Sequence, residues 1–168
     1  MDASESLILN QKQILQKIRR IAFQIYENNF SEKQVVLAGI YDQGYVLAEL
    51  LHEALIEIAT FEVKIIGIQL DKLTPTQGAI SLDCDIAELK NKAIVLIDDV
   101  SNTGRTMAYS LKPFLTIKVK KIETAVLVNR SHSQFPLAIN YSGFELATTF
   151  KEHVKVALES GNMSVYLI

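Results

Sequence analysis

The chain has 168 residues, of which 49% are hydrophobic and 21% are charged. This composition excludes disordered and collagen-like chains, and the length corresponds to about one domain, so residues 1–168 are predicted to form a single domain. Basic residues number 17 and acidic residues 19, giving a net charge of −2. A strongly basic surface built for nucleic acid is therefore not expected.

The cysteine content and the lengths of the apolar runs argue against a disulfide-rich, secreted or membrane-spanning protein. Cys84 is the only cysteine, so neither an intrachain disulfide nor a zinc site of several thiolates can form. The N-terminal residues lack the basic start and apolar run of a signal peptide. No stretch approaches the ~20 apolar residues of a membrane span. We therefore expect a cytoplasmic protein without a membrane partner.

Segments with a helical period alternate with short apolar runs that are typical of buried strands. The predicted helices are 11–29, 45–59 and 107–115, and the predicted strands are 34–40, 61–70, 93–100 and 121–129. The polar stretch 71–85 is the least structured and is typical of a flap or a mobile segment. The C-terminal third is predicted to form short strands joined by turns.

Strands that alternate with helices predict an α/β fold with a doubly wound parallel sheet. Ligands in such sheets bind at the carboxyl ends of the strands, near a topological switch point. Two loops follow predicted strands and carry polar groups, Tyr41–Gly44 and Asp98–Thr106. We expect the functional site at these loops.

The second loop combines acids with a pattern that suits an anion. Asp98 and Asp99 end a buried apolar run, and 102–106 offers backbone N–H groups, two threonine hydroxyls and a guanidinium at the start of a helix. Acids beside a phosphate loop suit a ligand that carries both hydroxyl and phosphate groups. The alternative is that the acids merely end a strand and Thr103 caps a helix.

The segment VLIDDVSNTGRT resembles the phosphoribosyl diphosphate (PRPP) signature of type I phosphoribosyltransferases. Over nearly the whole chain, the sequence resembles the family of bifunctional pyrimidine-operon regulators and uracil phosphoribosyltransferases. GxxxxGK[ST] and GxGxxG are both absent. The resemblance implies a doubly wound parallel sheet with a small hood from the C-terminal segment, in a homo-oligomer (dimer or tetramer).

The resemblance also implies roles for the residues of this loop. Asp98 and Asp99 would hold the ribose hydroxyls and offset positive charge at C1′ as pyrophosphate leaves. The 5′-phosphate would be bound by Asn102, Thr103, Gly104, Arg105 and Thr106. Mg²⁺ would be held chiefly by PRPP itself, so no dedicated protein metal site is expected.

The first loop departs from the family pattern, which has Thr-Arg-Gly where this chain has Asp42-Gln43-Gly44. The predicted pyrophosphate loop is formed by Tyr41, Asp42, Gln43 and Gly44. Loss of a guanidinium and gain of a carboxylate would weaken PRPP binding and give a weak or unusual activity, unless backbone amides bind the pyrophosphate alone. In the flap, Lys72 would replace an arginine as a point charge without its bidentate fork.

The base is predicted from the hood and from Asn102. The hood segment 141–149 resembles a uracil-binding region, and the predicted base-binding residues are Tyr141, Ser142, Gly143 and Phe144. Asn102 stands where 6-oxopurine enzymes carry an acid that acts as general base, which favours a pyrimidine such as uracil.

RNA is not expected as a partner. The regulators carry a basic cluster after the fourth predicted strand, and of that cluster this chain keeps only Arg130 and has Ser133 in place of an arginine. Two hypotheses follow. One is a phosphoribosyltransferase that acts on a nucleobase, and the other is a non-catalytic regulator that binds PRPP or a nucleotide.

Overall fold

The computed structural model describes residues 5–73, 79–149 and 151–168. Its strands are β1 (Ser6–Asn10), β2 (Gln34–Ile40), β3 (Glu62–Gln69), β4 (Ser81–Leu82), β5 (Ala93–Ser101), β6 (Lys121–Asn129), β7 (Tyr141–Glu145), β8 (Val154–Ala157) and β9 (Ser164–Leu167). Its α-helices are α1 (Gln11–Asn29), α2 (Gln43–Ile58) and α3 (Arg105–Ser110), with 3₁₀ turns at Ile86–Leu89 and Lys112–Thr116.

The main sheet has six strands in the order β4-β3-β2-β5-β6-β7. All neighbouring pairs are parallel except β3 and β4, which are antiparallel. The predicted α/β fold with a doubly wound parallel sheet is thereby confirmed. The chain runs from β2 outward to β3 on one side and then to β5 on the other, so the topological switch point lies between β2 and β5. Both predicted loops begin there.

Side chains of the central strands alternate between two apolar cores, as successive residues of a strand must. Leu37 and Val95 pack on the side of α1 and α2. Val36 and Ile94 pack on the opposite side, with Phe114 of the second 3₁₀ turn. Burial on both faces is the reason that these strands read as unbroken apolar runs rather than as alternating ones.

A second sheet of three antiparallel strands has the order β1-β9-β8. The hood was expected from the C-terminal segment alone, but its β9 pairs with the N-terminal β1, through Ser6 with Leu167 and Asn10 with Ser164. Strand β7 also differs from expectation. It pairs with β6 and extends the main sheet, so residues 141–145 are not part of a separate hood.

Two helix boundaries differ from those that periodicity predicts. Helix α2 begins at Gln43, so Gln43 and Gly44 form its first turn rather than a loop. The helix expected at 107–115 is instead α3 followed by a 3₁₀ turn that contains Pro113, whose ring has no N–H for an α-helical hydrogen bond. None of the helices in the described part of the chain has the length and apolar composition needed to cross a bilayer.

Candidate functional site

The acid pair at the end of β5 lies in contact with a lysine from the segment after β3. Asp98 is 3% exposed. Its Oδ1 accepts hydrogen bonds from Lys72 Nζ at 3.1 Å and from the backbone N–H of Asp99 at 2.9 Å. Lys72 Nζ is also 3.9 Å from Asp99 Oδ1. The structure thus brings together the predicted acids and the predicted flap lysine.

The surroundings of Asp98 favour its neutral form. Burial of the carboxyl group, together with the nearby charge of Asp99, raises the pKa of Asp98 to about 8, and Lys72 opposes this shift. Removing a carboxyl group from water is costly unless its partners compensate. This cost supports a functional rather than a purely structural reason for an acid at this position.

The predicted phosphate loop lies beside this pair. Lys72, Asp98 and residues 102–106 line one cleft of about 240 Å³. Gly104 has φ +84°, a left-handed conformation that glycine adopts without strain, and it precedes α3 directly. Thr103 Oγ1 accepts a hydrogen bond from the Arg105 N–H at 3.2 Å, but the N-cap of α3 is Gly104 and not Thr103, as the alternative interpretation had expected.

The phosphate loop is held from behind by the segment that follows β6. The backbone N–H of Arg130 donates to Ser101 O at 2.9 Å, and that of Gln134 donates to Thr103 O at 2.9 Å. These bonds engage two carbonyl groups of the loop. The loop backbone is therefore fixed independently of any side chain in the cleft.

Arg130 is the site residue that sequence reasoning missed. Its side chain is buried and donates to Asn102 Oδ1 at 2.9 Å and to Thr148 Oγ1 at 2.9 Å. From the sequence it was interpreted as the remnant of a surface RNA-binding cluster. The signal that could have identified it is its position directly after β6, the strand that neighbours β5, where the carboxyl ends of parallel strands meet.

Three of the four predicted pyrophosphate residues, Tyr41, Asp42 and Gln43, line a second cleft of about 400 Å³ together with Asp99. Lys72 lines both clefts. A Cβ at Gly44 would lie 2.9 Å from Asp98 Cα, so α2 begins directly against the end of β5 and only glycine fits there. The two clefts therefore adjoin, with Lys72 between them.

Gln43 stands where the family pattern has arginine, and its side chain is already engaged. Gln43 Oε1 accepts a hydrogen bond from the backbone N–H of Leu158, which follows β8, at 3.1 Å. This bond ties the first turn of α2 to the second sheet. Asp42 is exposed and its side chain makes no capping hydrogen bond to α2, so its carboxylate faces any anion that enters the second cleft.

The predicted base-binding residues Tyr141, Ser142, Gly143 and Phe144 belong to β7, which corrects their assignment to the hood. Tyr141 is 2% exposed, and its hydroxyl donates to Glu123 Oε2 at 2.7 Å and accepts from Asn28 Nδ2 at 3.0 Å. The carbonyl of Gly143 accepts from Arg20 Nη2 at 2.7 Å. These contacts attach β7 to α1 and β6, and the structure does not bring Tyr141 to the acid pair.

Comparison with known proteins agrees with this architecture. Residues 4–160 match the phosphoribosyl transferase domain family. The bifunctional protein PyrR of Staphylococcus epidermidis is 33% identical over 93% of this chain and 93% of its own length. That of Fusobacterium nucleatum is 28% identical over 95% and 94%.

Solved structures show the same fold at lower identity. The hypoxanthine phosphoribosyltransferase of Trypanosoma cruzi has a TM-score of 0.76 at 14% identity and covers 95% of both chains. A hypoxanthine-guanine phosphoribosyltransferase of Bacillus anthracis has a TM-score of 0.68 at 21% identity, covering 85% of this chain and 84% of that one. These structures share the fold, and the matched domain and the PyrR relatives show that the chain belongs to the type I phosphoribosyltransferases, close to the PyrR proteins.

Proposed function

We propose that the protein transfers a 5-phosphoribosyl group from PRPP to a nucleobase, a pyrimidine such as uracil, and releases pyrophosphate. The observation that carries this proposal is the meeting of Asp98, Asp99 and Lys72 beside the loop 102–106. PRPP requires three kinds of group in its binding site. These are acids that accept hydrogen bonds from the ribose hydroxyls, a cation that offsets the phosphate charge, and a loop that binds the 5′-phosphate. The proposal includes a homo-oligomer in the cytoplasm, as the family resemblance implies.

In the proposed reaction, the bond from C1′ to pyrophosphate breaks and a bond from C1′ to a base nitrogen forms. Positive charge develops at C1′, and the carboxylate of Asp99 would stabilise it, while Asp98 and Asp99 together orient the ribose hydroxyls. The loop 102–106 would hold the 5′-phosphate. Lys72, at the junction of the two clefts, would meet the negative charge of the leaving pyrophosphate.

Magnesium would arrive with PRPP and neutralise the pyrophosphate charge. The residues present fit that role, because Asp98 and Asp99 offer the carboxylate oxygens that a hard cation prefers. Within the described residues, no group of three or more His, Cys, Asp or Glu side chains is arranged to hold a metal ion. In this proposal, as the family resemblance implies, the cation is held chiefly by PRPP itself.

Asn102 and the resemblance to pyrimidine-operon regulators support a pyrimidine. An amide cannot accept the proton that a purine-specific acid would take, so the site lacks that general base. Two features favour the non-catalytic alternative. Asp42 adds negative charge to the second cleft, and Gln43 is engaged with Leu158 in place of a free guanidinium. A regulator that binds PRPP or a nucleotide without turnover is the second candidate.

Pyrophosphate release from PRPP and Mg²⁺ decides between these functions. Uracil, orotate, adenine, guanine and hypoxanthine are each supplied, and uracil is expected to give the highest rate. Asp99→Asn should abolish most of that rate, whereas Glu53→Gln, on the exposed side of α2, serves as the matched control. Calorimetric binding of PRPP without release with any base would support the regulator, and neither binding nor release would reject both functions.

A further inference from the structure

Arg130 follows β6 and is 7% exposed, yet its guanidinium makes four hydrogen bonds. Nη1 donates to Asn102 Oδ1 at 2.9 Å, and Nε donates to Thr148 Oγ1 at 2.9 Å. Nη2 donates to the carbonyls of Thr149 at 3.1 Å and Glu152 at 2.5 Å. Among the described residues, no carboxylate forms an ion pair with it. A buried charge with only neutral partners is costly, which points to a use for this arrangement.

The contact with Arg130 fixes the orientation of Asn102. Because a guanidinium has only donors, the Asn102 atom that faces it must be the carbonyl oxygen. The amide Nδ2 therefore points away from Arg130. Asn102 is exposed and lines the phosphate-loop cleft, and its Nδ2 makes no hydrogen bond to any residue that the structure describes. The cleft thus contains an oriented N–H donor.

We propose that Arg130 is a positioning residue that holds Asn102 with its amide N–H toward the bound base. This inference rests on the proposed function and extends it to base selection. The donor suits a base that carries a carbonyl acceptor beside the attacking nitrogen, such as uracil with its C2 carbonyl beside N1. A base with a hydrogen-bond donor beside the attacking nitrogen would place its own N–H against the Asn102 N–H, and neither group would have an acceptor.

The same contact has a consequence for the reaction. As the bond from the base nitrogen to C1′ forms, that nitrogen loses its proton to water and pyrophosphate leaves with the bonding electron pair. Negative charge on the base spreads to the neighbouring carbonyl oxygen before the new bond is complete. The Asn102 N–H, polarised by Arg130, would stabilise this charge in place of a general base.

Arg130 also links Asn102 to the segment that leads into β8 of the second sheet. Its other partners, Thr148, Thr149 and Glu152, come just before β8, and His132 Nε2 lies 3.0 Å from Thr148 Oγ1. Only a planar fork of donors reaches both this segment and Asn102. Lysine keeps the charge but has one nitrogen, so it cannot span the two.

A double-mutant cycle in the full chain tests the proposal. Arg130→Lys, Asn102→Ala and the double variant are compared with the wild type by calorimetry, using uridine 5′-monophosphate, which carries the base, and PRPP, which does not. Each single variant is expected to weaken nucleotide binding about tenfold, the value of one hydrogen bond. The double variant should be no weaker than Asn102→Ala, within about twofold.

Binding of PRPP should weaken less than binding of the nucleotide in every variant, because the backbone of the phosphate loop is held separately through Ser101 and Thr103. Additive losses in the double variant, or equal losses for both ligands, would show a merely structural role and overturn the proposal. Arg19→Lys, on the exposed side of α1, is the matched control.

Two further measurements keep the test decisive. If Arg130→Lys does not fold, as judged by thermal unfolding, Thr148→Val takes its place in the same cycle, since it removes one acceptor of the guanidinium. A wild type that binds neither ligand contradicts the proposed function itself. A wild type that binds both, with variants that bind the nucleotide as well as it does, contradicts only the role of Arg130.

Discussion

Lys72 and Asp98 form an ion pair in which the two side chains differ sharply in their access to water. The lysine side chain is 39% exposed and the aspartate side chain only 4%, with 3.1 Å between Nζ and Oδ1. The lysine ammonium group therefore lies between the buried carboxyl group and the solvent. A ligand that binds Asp98 must therefore either contact the Lys72 ammonium group or displace it.

Stability should decrease with pH because of Asp98. The unfolded chain releases this proton near pH 4, whereas the folded chain keeps it to about pH 8, so the folded state binds more protons between these values. The contribution of Asp98 is therefore full below about pH 4 and is lost as pH rises to about 8. Urea unfolding should show that Asp98→Asn gains stability over the wild type as pH rises through this range. A constant difference would contradict the raised pKa.

Lys72→Met should weaken PRPP binding about tenfold, because it removes one charge-assisted hydrogen bond to phosphate. Calorimetric titration with PRPP and Mg²⁺ measures the effect. Lys118→Met is the matched control, since Lys118 is exposed before β6, at the opposite edge of the sheet. If both variants bind PRPP equally well, Lys72 contacts only the carboxylates and not the ligand.

Restoring the family sequence with Asp42→Thr and Gln43→Arg should have opposite effects on affinity and stability. The new guanidinium should strengthen PRPP binding about tenfold through one or two charge-assisted bonds. Arginine cannot accept the hydrogen bond from Leu158 N–H, which should cost about 1 kcal/mol of unfolding free energy.

Gln43→Glu separates the two effects of that double variant. It keeps the acceptor for Leu158 and so should keep the melting temperature, while its negative charge weakens PRPP binding. Calorimetry measures the affinity for PRPP, and thermal unfolding measures the stability of the same variants. An unchanged affinity in the arginine variant would mean that the first turn of α2 binds pyrophosphate through its backbone alone.

Tyr141→Phe should lower stability without changing affinity for the base. The lost hydroxyl removes the donor to Glu123 Oε2 and the acceptor for Asn28 Nδ2, and Glu123 keeps its bond from Asn29, so the cost should be about 1 kcal/mol. Urea unfolding gives the stability, and the KM for uracil gives the affinity. A raised KM with unchanged stability would instead restore the role in base binding that the sequence predicted for Tyr141.

Tight, salt-sensitive binding of a pyrimidine leader transcript is not expected. Such binding requires basic side chains that can reach phosphates. Arg130 is buried, its guanidinium is bonded within the protein, and Ser133 has no charge. Filter binding at several salt concentrations measures the affinity and its salt slope, and a steep slope with nanomolar affinity would contradict this expectation.

The core strands and the acid pair could be predicted because their signals are local. β2 and the first five residues of β5 are apolar runs, and Asp98 and Asp99 come directly after the apolar run within β5. The family pattern pointed to Lys72 as a flap residue, but its contact with these acids was not predicted.

The features that were missed depend on distant partners. β1 is a short segment whose pairing is with β9, at the other end of the chain. Gln43 gained a partner in Leu158 that no spacing indicates. The burial of Arg130 contradicts the general preference of arginine for the surface, and its bonds to Asn102, Thr148 and Glu152 explain it.

The pairing of β1 with β9 also constrains how the chain folds. Strand β1 cannot complete its sheet until β9 has been synthesised, since Ser6 pairs with Leu167. Contacts between residues so far apart in sequence carry a large loop-closure cost and form slowly. Leu9, which is buried in the folded core, therefore lacks its final neighbours until β9 has been synthesised. The main sheet is expected to assemble first, and the site is completed only when this late closure brings Leu158 to Gln43.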